Sequence, residues 1–189
     1  MWRVALALPL LAVGCGEKTV DPIDAVRPST EILGELDPEF VDEASGLAIS
    51  RQFPDRLYHH NDSGGGPYFY ITSFSGENTQ TIEIEGYDDT GQDLEDMALG
   101  PCEEPTNDCI YLANIGDNFL RRESIEVLII EEQEKFGASA LPVGRVKMKY
   151  PDGAHNAEGL GVDPMGNIYI LTKGVSSVTL WETPSRSID

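Results

Sequence analysis

The chain has 189 residues, 33 acidic and 13 basic, with a formal charge of -20 and an isoelectric point near 4.3. That balance excludes nucleic acid as a partner, because phosphate binding draws on clustered Lys and Arg. With 40% hydrophobic residues, the composition is that of a folded domain and not of a disordered acidic tail.

Residues 1–15 begin with a charge at Arg3, continue through an apolar run from Val4 to Val13 and end at Gly14-Cys15. The run is shorter than the roughly 20 residues of a membrane-spanning helix. A charged start, apolar middle and small-residue end describe a secretory signal. Leu11-Ala-Val-Gly-Cys15 resembles the lipobox of bacterial lipoproteins, which implies lipidation of Cys15 and a place in the cell envelope. Gly16, where retention in the inner membrane favours Asp, implies the outer membrane. An ordinary signal peptide with an incidental cysteine is the alternative. Residues 16–30 are polar, contain Pro22 and Pro28, and are expected to form a tether to a folded region over 31–189.

From residue 31 onward, period-2 alternation fills many short segments and no long stretch holds a 3.6-residue period, so the fold class is all-β. Residues 31–36 are expected to supply an outer strand. A first strand follows Glu43, in Glu43-Ala-Ser-Gly-Leu47, and further strands are expected at 57–60, 68–74 and 81–85. The succession then returns, with Glu95-Asp-Met-Ala-Leu99 followed by strands at 110–113, 125–130 and 145–150. A third copy begins at Glu158-Gly-Leu-Gly-Val162 and continues at 168–171 and 178–182. Turn formers such as Pro151-Asp-Gly and Asp163-Pro-Met-Gly-Asn separate these segments.

Within the second copy lie Cys102 and Cys109, an even pair once Cys15 is assigned to lipid. In an exported protein such a pair predicts a disulfide. Two thiols with no CxxC and no nearby His make a poor zinc site.

A unit of four antiparallel strands recurring at this spacing is the mark of a β-propeller. The blades fall near 43–85, 95–150 and 158–189, the last without its fourth strand. Gly46, Ala98 and Gly161 supply the small side chains that a channel-lining first strand needs. A β-sandwich is the rival architecture, though it would not require the glutamate to recur. Propellers close with 4 to 8 blades, so about half a ring is expected here. The chain is then expected to be part of a longer reading frame, or to complete its ring by oligomerising.

In a blade the second strand returns to the mouth from which the first departs. This brings Asn61, Asp62, Asn114, Asp117 and Lys173 to the face that holds Glu43, Glu95 and Glu158. Carboxylate and amide oxygens around a channel are hard ligands suited to Ca²⁺, so the candidate metal ligands are Glu43, Asn61, Asp62, Glu95, Asn114, Asp117 and Glu158. The competing role for the recurrent glutamate is architectural, accepting hydrogen bonds from the backbone of the next blade. His59 and His60, adjacent on a strand, face opposite ways and are not expected to share a metal. His155 is expected to be a hydrogen-bonded loop residue, with an acid–base pair to Glu158 as the alternative.

Glu-Ala-Ser-Gly-Leu, His-Asn-Asp-Ser-Gly-Gly, Asp-Leu-Glu-Asp-Met-Ala, Asn-Ile-Gly-Asp-Asn and Asp-Gly-Ala-His-Asn-Ala-Glu-Gly-Leu together resemble segments of a group of bacterial secreted propeller proteins, over about residues 40 to 173. More loosely, a channel ring of Glu and Asn is similar to that of six-bladed Ca²⁺-dependent lactonases and esterases such as gluconolactonase and paraoxonase. That second likeness implies Glu43 as a metal ligand and Asn61 or Asn114 as amide-oxygen donors. The expected function is an exported, lipid-anchored protein whose acidic, Ca²⁺-loaded face binds a small molecule or a protein. A Ca²⁺-dependent hydrolase of lactones, esters or phosphoesters and a purely structural surface protein are the alternatives.

Overall fold

The computed structural model describes residues 30–62, 64–88, 93–104, 106–174 and 177–183. The expected signal, Cys15 and, apart from Thr30, the expected tether lie outside the described residues. The folded unit belongs to Ile32–Asp189. Among its described residues there is no helix, and twelve strands form three open sheets.

The first sheet takes β1 (Ala44–Ile49), β2 (Leu57–Asn61), β3 (Tyr68–Thr72) and β4 (Gln80–Ile84) in sequence order, each antiparallel to the last. The second takes β5 (Leu94–Pro101), β6 (Asp108–Asn114), β7 (Ile125–Glu131) and β9 (Gly144–Met148) in the same way. The third holds β10 (Ala157–Val162), β11 (Ile168–Thr172) and β12 (Leu180–Glu182). These strands follow the alternation and the turn residues read from the sequence. One expectation fails: residues 31–36 form no strand. The outer edge of β4 is occupied instead by β8 (Ser139–Ala140), which runs parallel to it. The N–H groups of Glu83 and Glu85 donate to the carbonyls of Ala138 and Ala140. Residues 34–35 lie against the 75–76 turn, and Gly34 permits this approach, since a Cβ there would overlap the Ser75 carbonyl.

All three first strands break register at the same place, between Ala44 and Leu47, Leu94 and Asp96, and Ala157 and Gly159. A bulge of this kind redirects side chains at a strand end and is often found beside functional sites. Ladder pairing makes Leu47, Met97 and Leu160 equivalent, opposite His59, Leu112 and Ile170. It likewise makes Ala48, Ala98 and Gly161 equivalent, opposite Tyr58, Tyr111 and Tyr169.

The sheets stack through two cores, with β1 beside β5 and β5 beside β10. Between the first and second sheets lie Tyr58, Phe69, Ile82, Ile84, Ile110, Leu112 and Leu128. Phe136 closes that core edge-on against Phe69, ring centroids 5.5 Å apart. Between the second and third lie Tyr111, Ala113, Val127, Ile129, Ile168 and Ile170, with Trp181 at the margin. Polar bridges tie the first strands together: Ser45 Oγ donates to the Glu95 carbonyl at 2.8 Å, and the Leu160 N–H donates to Asp96 Oδ2 at 2.8 Å.

Cys102 and Cys109 form the expected disulfide across the β5–β6 hairpin, buried in the second core. In the chain-entropy picture a loop this short contributes about 2.5 kcal/mol. Cys102→Ala/Cys109→Ala is therefore expected to melt roughly 5–10 °C lower in a thermal scan.

Candidate acidic site

The bulge in β5 sets Asp93 and Glu95 on one side of the strand start. Their carboxylates and that of Asp62, which follows β2, offer ligand atoms within 4.8 Å of one another. The loop after β6 passes directly over them. Gly116 in that loop lets it lie this close, because a Cβ there would push the Glu95 and Asp93 carboxylates aside. Asn118 in the same loop donates to Asp93 Oδ2 at 3.5 Å.

A fourth carboxylate, Glu158, stands at the matching bulge of β10. It accepts from Lys173 Nζ at 2.8 Å and from Asn156 Nδ2 at 3.2 Å, and it hydrogen-bonds the Glu95 carboxyl. Four carboxyl groups thus cluster, and one of them, Glu158, pairs with Lys173. Burial raises the pKa of Glu95, and the charges of Asp93, Glu158 and Asp62 raise it further, to about 8 against an ordinary 4.5. At neutral pH Glu95 keeps its proton. Lys173 is held more firmly charged by the hydrogen bond and charge of Glu158.

Of the residues named from the sequence, Asp62, Glu95 and Glu158 come together here. Glu43 does not join them: it is exposed, and its carbonyl accepts the Asp62 N–H at 2.9 Å. The same bond recurs from Ile115 N to Asp93 O and from Lys173 N to Asn156 O. Glu43 is therefore equivalent to Asp93 and Asn156, two positions away from the alignment with Glu95 and Glu158 that the sequence suggests. Asn61 is buried and donates to the Phe40 carbonyl at 3.0 Å. Asn114, fully buried, accepts the Asp93 N–H at 3.0 Å and donates to Glu126 at 3.1 Å, so it fixes the position of Asp93. The Asp117 carboxylate accepts the N–H groups of Arg121 and Arg122 at 2.9 and 2.7 Å and shapes the loop that covers the site. Asp93, just before β5, is not among the candidate ligands named from the sequence.

The histidines are occupied elsewhere. His59 pairs with Thr72 at 2.8 Å, His60 with the Asn61 carbonyl, and His155 with Asp152 at 2.8 Å. His155 is thus a loop residue, bonded to Asp152 and packed against Tyr150 and Trp181.

Three carboxyl groups with this spacing could hold a metal ion. Compared with known protein families, curated proteins and solved structures, the chain matches none.

Proposed function

We propose that the three sheets are blades of a β-propeller, that Asp62, Asp93 and Glu95 hold Ca²⁺ at its mouth, and that the loaded face binds an oxygen-rich ligand or protein partner. The chain would do so from the bacterial cell envelope, anchored by lipid on Cys15. One observation carries the reading: a buried carboxyl group crowded by three others, of which Glu158 is paired with Lys173. A divalent cation supplies the missing charge, and Asp62, Asp93 and Glu95 would be its first ligands. Oxygens of a bound partner could complete the shell, which couples cation loading to recognition. Register supports the propeller part, because equivalent bulges and equivalent inner-strand positions recur in all three sheets.

Millimolar Ca²⁺ is expected to raise the melting temperature and excess chelator to reverse the rise. Occupancy at a hundred times the dissociation constant adds about 2.7 kcal/mol, or roughly 5–10 °C. An unchanged melting curve overturns the cation site.

A hydrolase is the second reading, favoured by one fact: a carboxyl titrating near pH 8 can give or take a proton at working pH. Ester or lactone turnover that chelator abolishes would establish it, and no turnover by the Ca²⁺-loaded protein would remove it.

A further inference from the structure

Ladder bonds bring one residue after each returning strand to the same place. The N–H groups of Asp62, Ile115 and Lys173 donate to the carbonyls of Glu43, Asp93 and Asn156, so these three residues are equivalent. Asp62 belongs to the carboxylate trio, whereas Ile115 is fully buried in the second core. The third sheet therefore puts an ammonium group where the first puts a carboxylate. Register thus brings a cation of the chain's own to the acidic site.

Lys173 Nζ donates to Glu158 Oε1 at 2.8 Å, and Glu158 in turn hydrogen-bonds the Glu95 carboxyl. The hydrogen bond and charge of Glu158 act on Lys173 most strongly, and the charges of Glu95 and Asp62 reach it as well. The ammonium thus stands among the carboxyl groups and holds one of them. Its hold is light. The lysine side chain is 63% exposed and that of Glu158 37%, and an ion pair this open to water is weak. A lysine stem also has the freedom to swing away from its partner. A divalent cation, which binds carboxylate oxygens directly, competes for the same group with twice the charge.

We propose that Lys173 is a tethered cation that occupies the acidic site while Ca²⁺ is absent, and that Ca²⁺ loading displaces its ammonium from Glu158 and recruits that carboxylate as a further ligand. This inference rests on the cation site proposed above and concerns how that site is regulated. The lysine sets a threshold: the site fills only when free Ca²⁺ is high enough to outcompete a cation that never diffuses away.

Calorimetric titration of the chelator-treated full chain at pH 8 is expected to show Ca²⁺ binding about tenfold tighter in Lys173→Met than in the unaltered protein. The variant alters an exposed side chain and is expected to keep its circular dichroism spectrum. Without Ca²⁺ it is expected to melt lower, because Glu158 and Glu95 then meet without the ammonium. Lys173→Arg, which keeps the charge, is expected to behave as the unaltered protein in both measurements. Adding Glu158→Gln to Lys173→Met is expected to cancel the gain in affinity. Binding by Lys173→Met that is unchanged or weaker overturns the proposal and leaves the cation site standing. A gain that survives Glu158→Gln also overturns it, since Lys173 would then act by its charge at a distance and not by holding Glu158. If neither the unaltered protein nor Lys173→Met binds Ca²⁺, the cation site falls and the exchange with it.

Discussion

Glu95→Gln is expected to raise the melting temperature of the cation-free protein at pH 8 and to weaken Ca²⁺ binding at least tenfold. Both effects come from one carboxyl group whose folded pKa lies above its unfolded value. Below about pH 4.5 the group is protonated in both states and costs nothing. As pH rises toward 8, the unfolded chain releases this proton while the folded chain retains it, so stability falls across that window. Above pH 8 the folded protein carries the full repulsion of Asp62, Asp93 and Glu158. Glutamine keeps the shape and removes the charge, so the fall in melting temperature between pH 5 and pH 8 is expected to flatten. Ca²⁺ requires the ionised form, and the unaltered protein is therefore expected to bind more tightly at pH 8 than at pH 6. A variant with the same pH–stability profile as the unaltered protein would contradict the assignment.

Leu112→Ala is expected to have the largest effect on stability. Leu112 is fully buried on β6, in the core shared by the first and second sheets. Truncating such a leucine costs about 2–5 kcal/mol through lost transfer energy and the cavity left behind. Chemical denaturation is expected to show that loss with an unchanged slope. Leu47→Ala, at the equivalent side of the first sheet's β1, is expected to change single-chain stability little, because Leu47 is exposed there. Equal losses from the two would mean that the first sheet's outer face is already covered.

Most strands were legible in the sequence for a simple reason. Side chains alternate across a strand, and β4 packs one face on the first core, so the alternation of buried Ile82 and Ile84 with exposed Glu83 and Glu85 follows from burial. The disulfide was legible from an even pair closing a short loop. Register within the repeat was not. A shift of two residues leaves every side chain on its own face, so alternation cannot separate Glu43 aligned with Glu95 from Glu43 aligned with Asp93. Ladder bonds can, and they moved Glu43 out of the acidic group and brought Asp93 in. The strand β8 escaped notice because two residues carry no period. Asn114 and Asp117 lie beside the acidic group, but their oxygens accept hydrogen bonds from backbone N–H groups. That outcome depends on loop geometry which side-chain type alone does not specify. Gly116 gave no signal, since its importance lies in what a Cβ would displace.

Calorimetric titration of the chelator-treated protein with Ca²⁺ at pH 8, beside Asp93→Asn, tests the central claim most directly. The account predicts saturable binding to the unaltered protein and its loss, or at least a tenfold weakening, in the variant. Equal binding by both, or no binding by either, would contradict it.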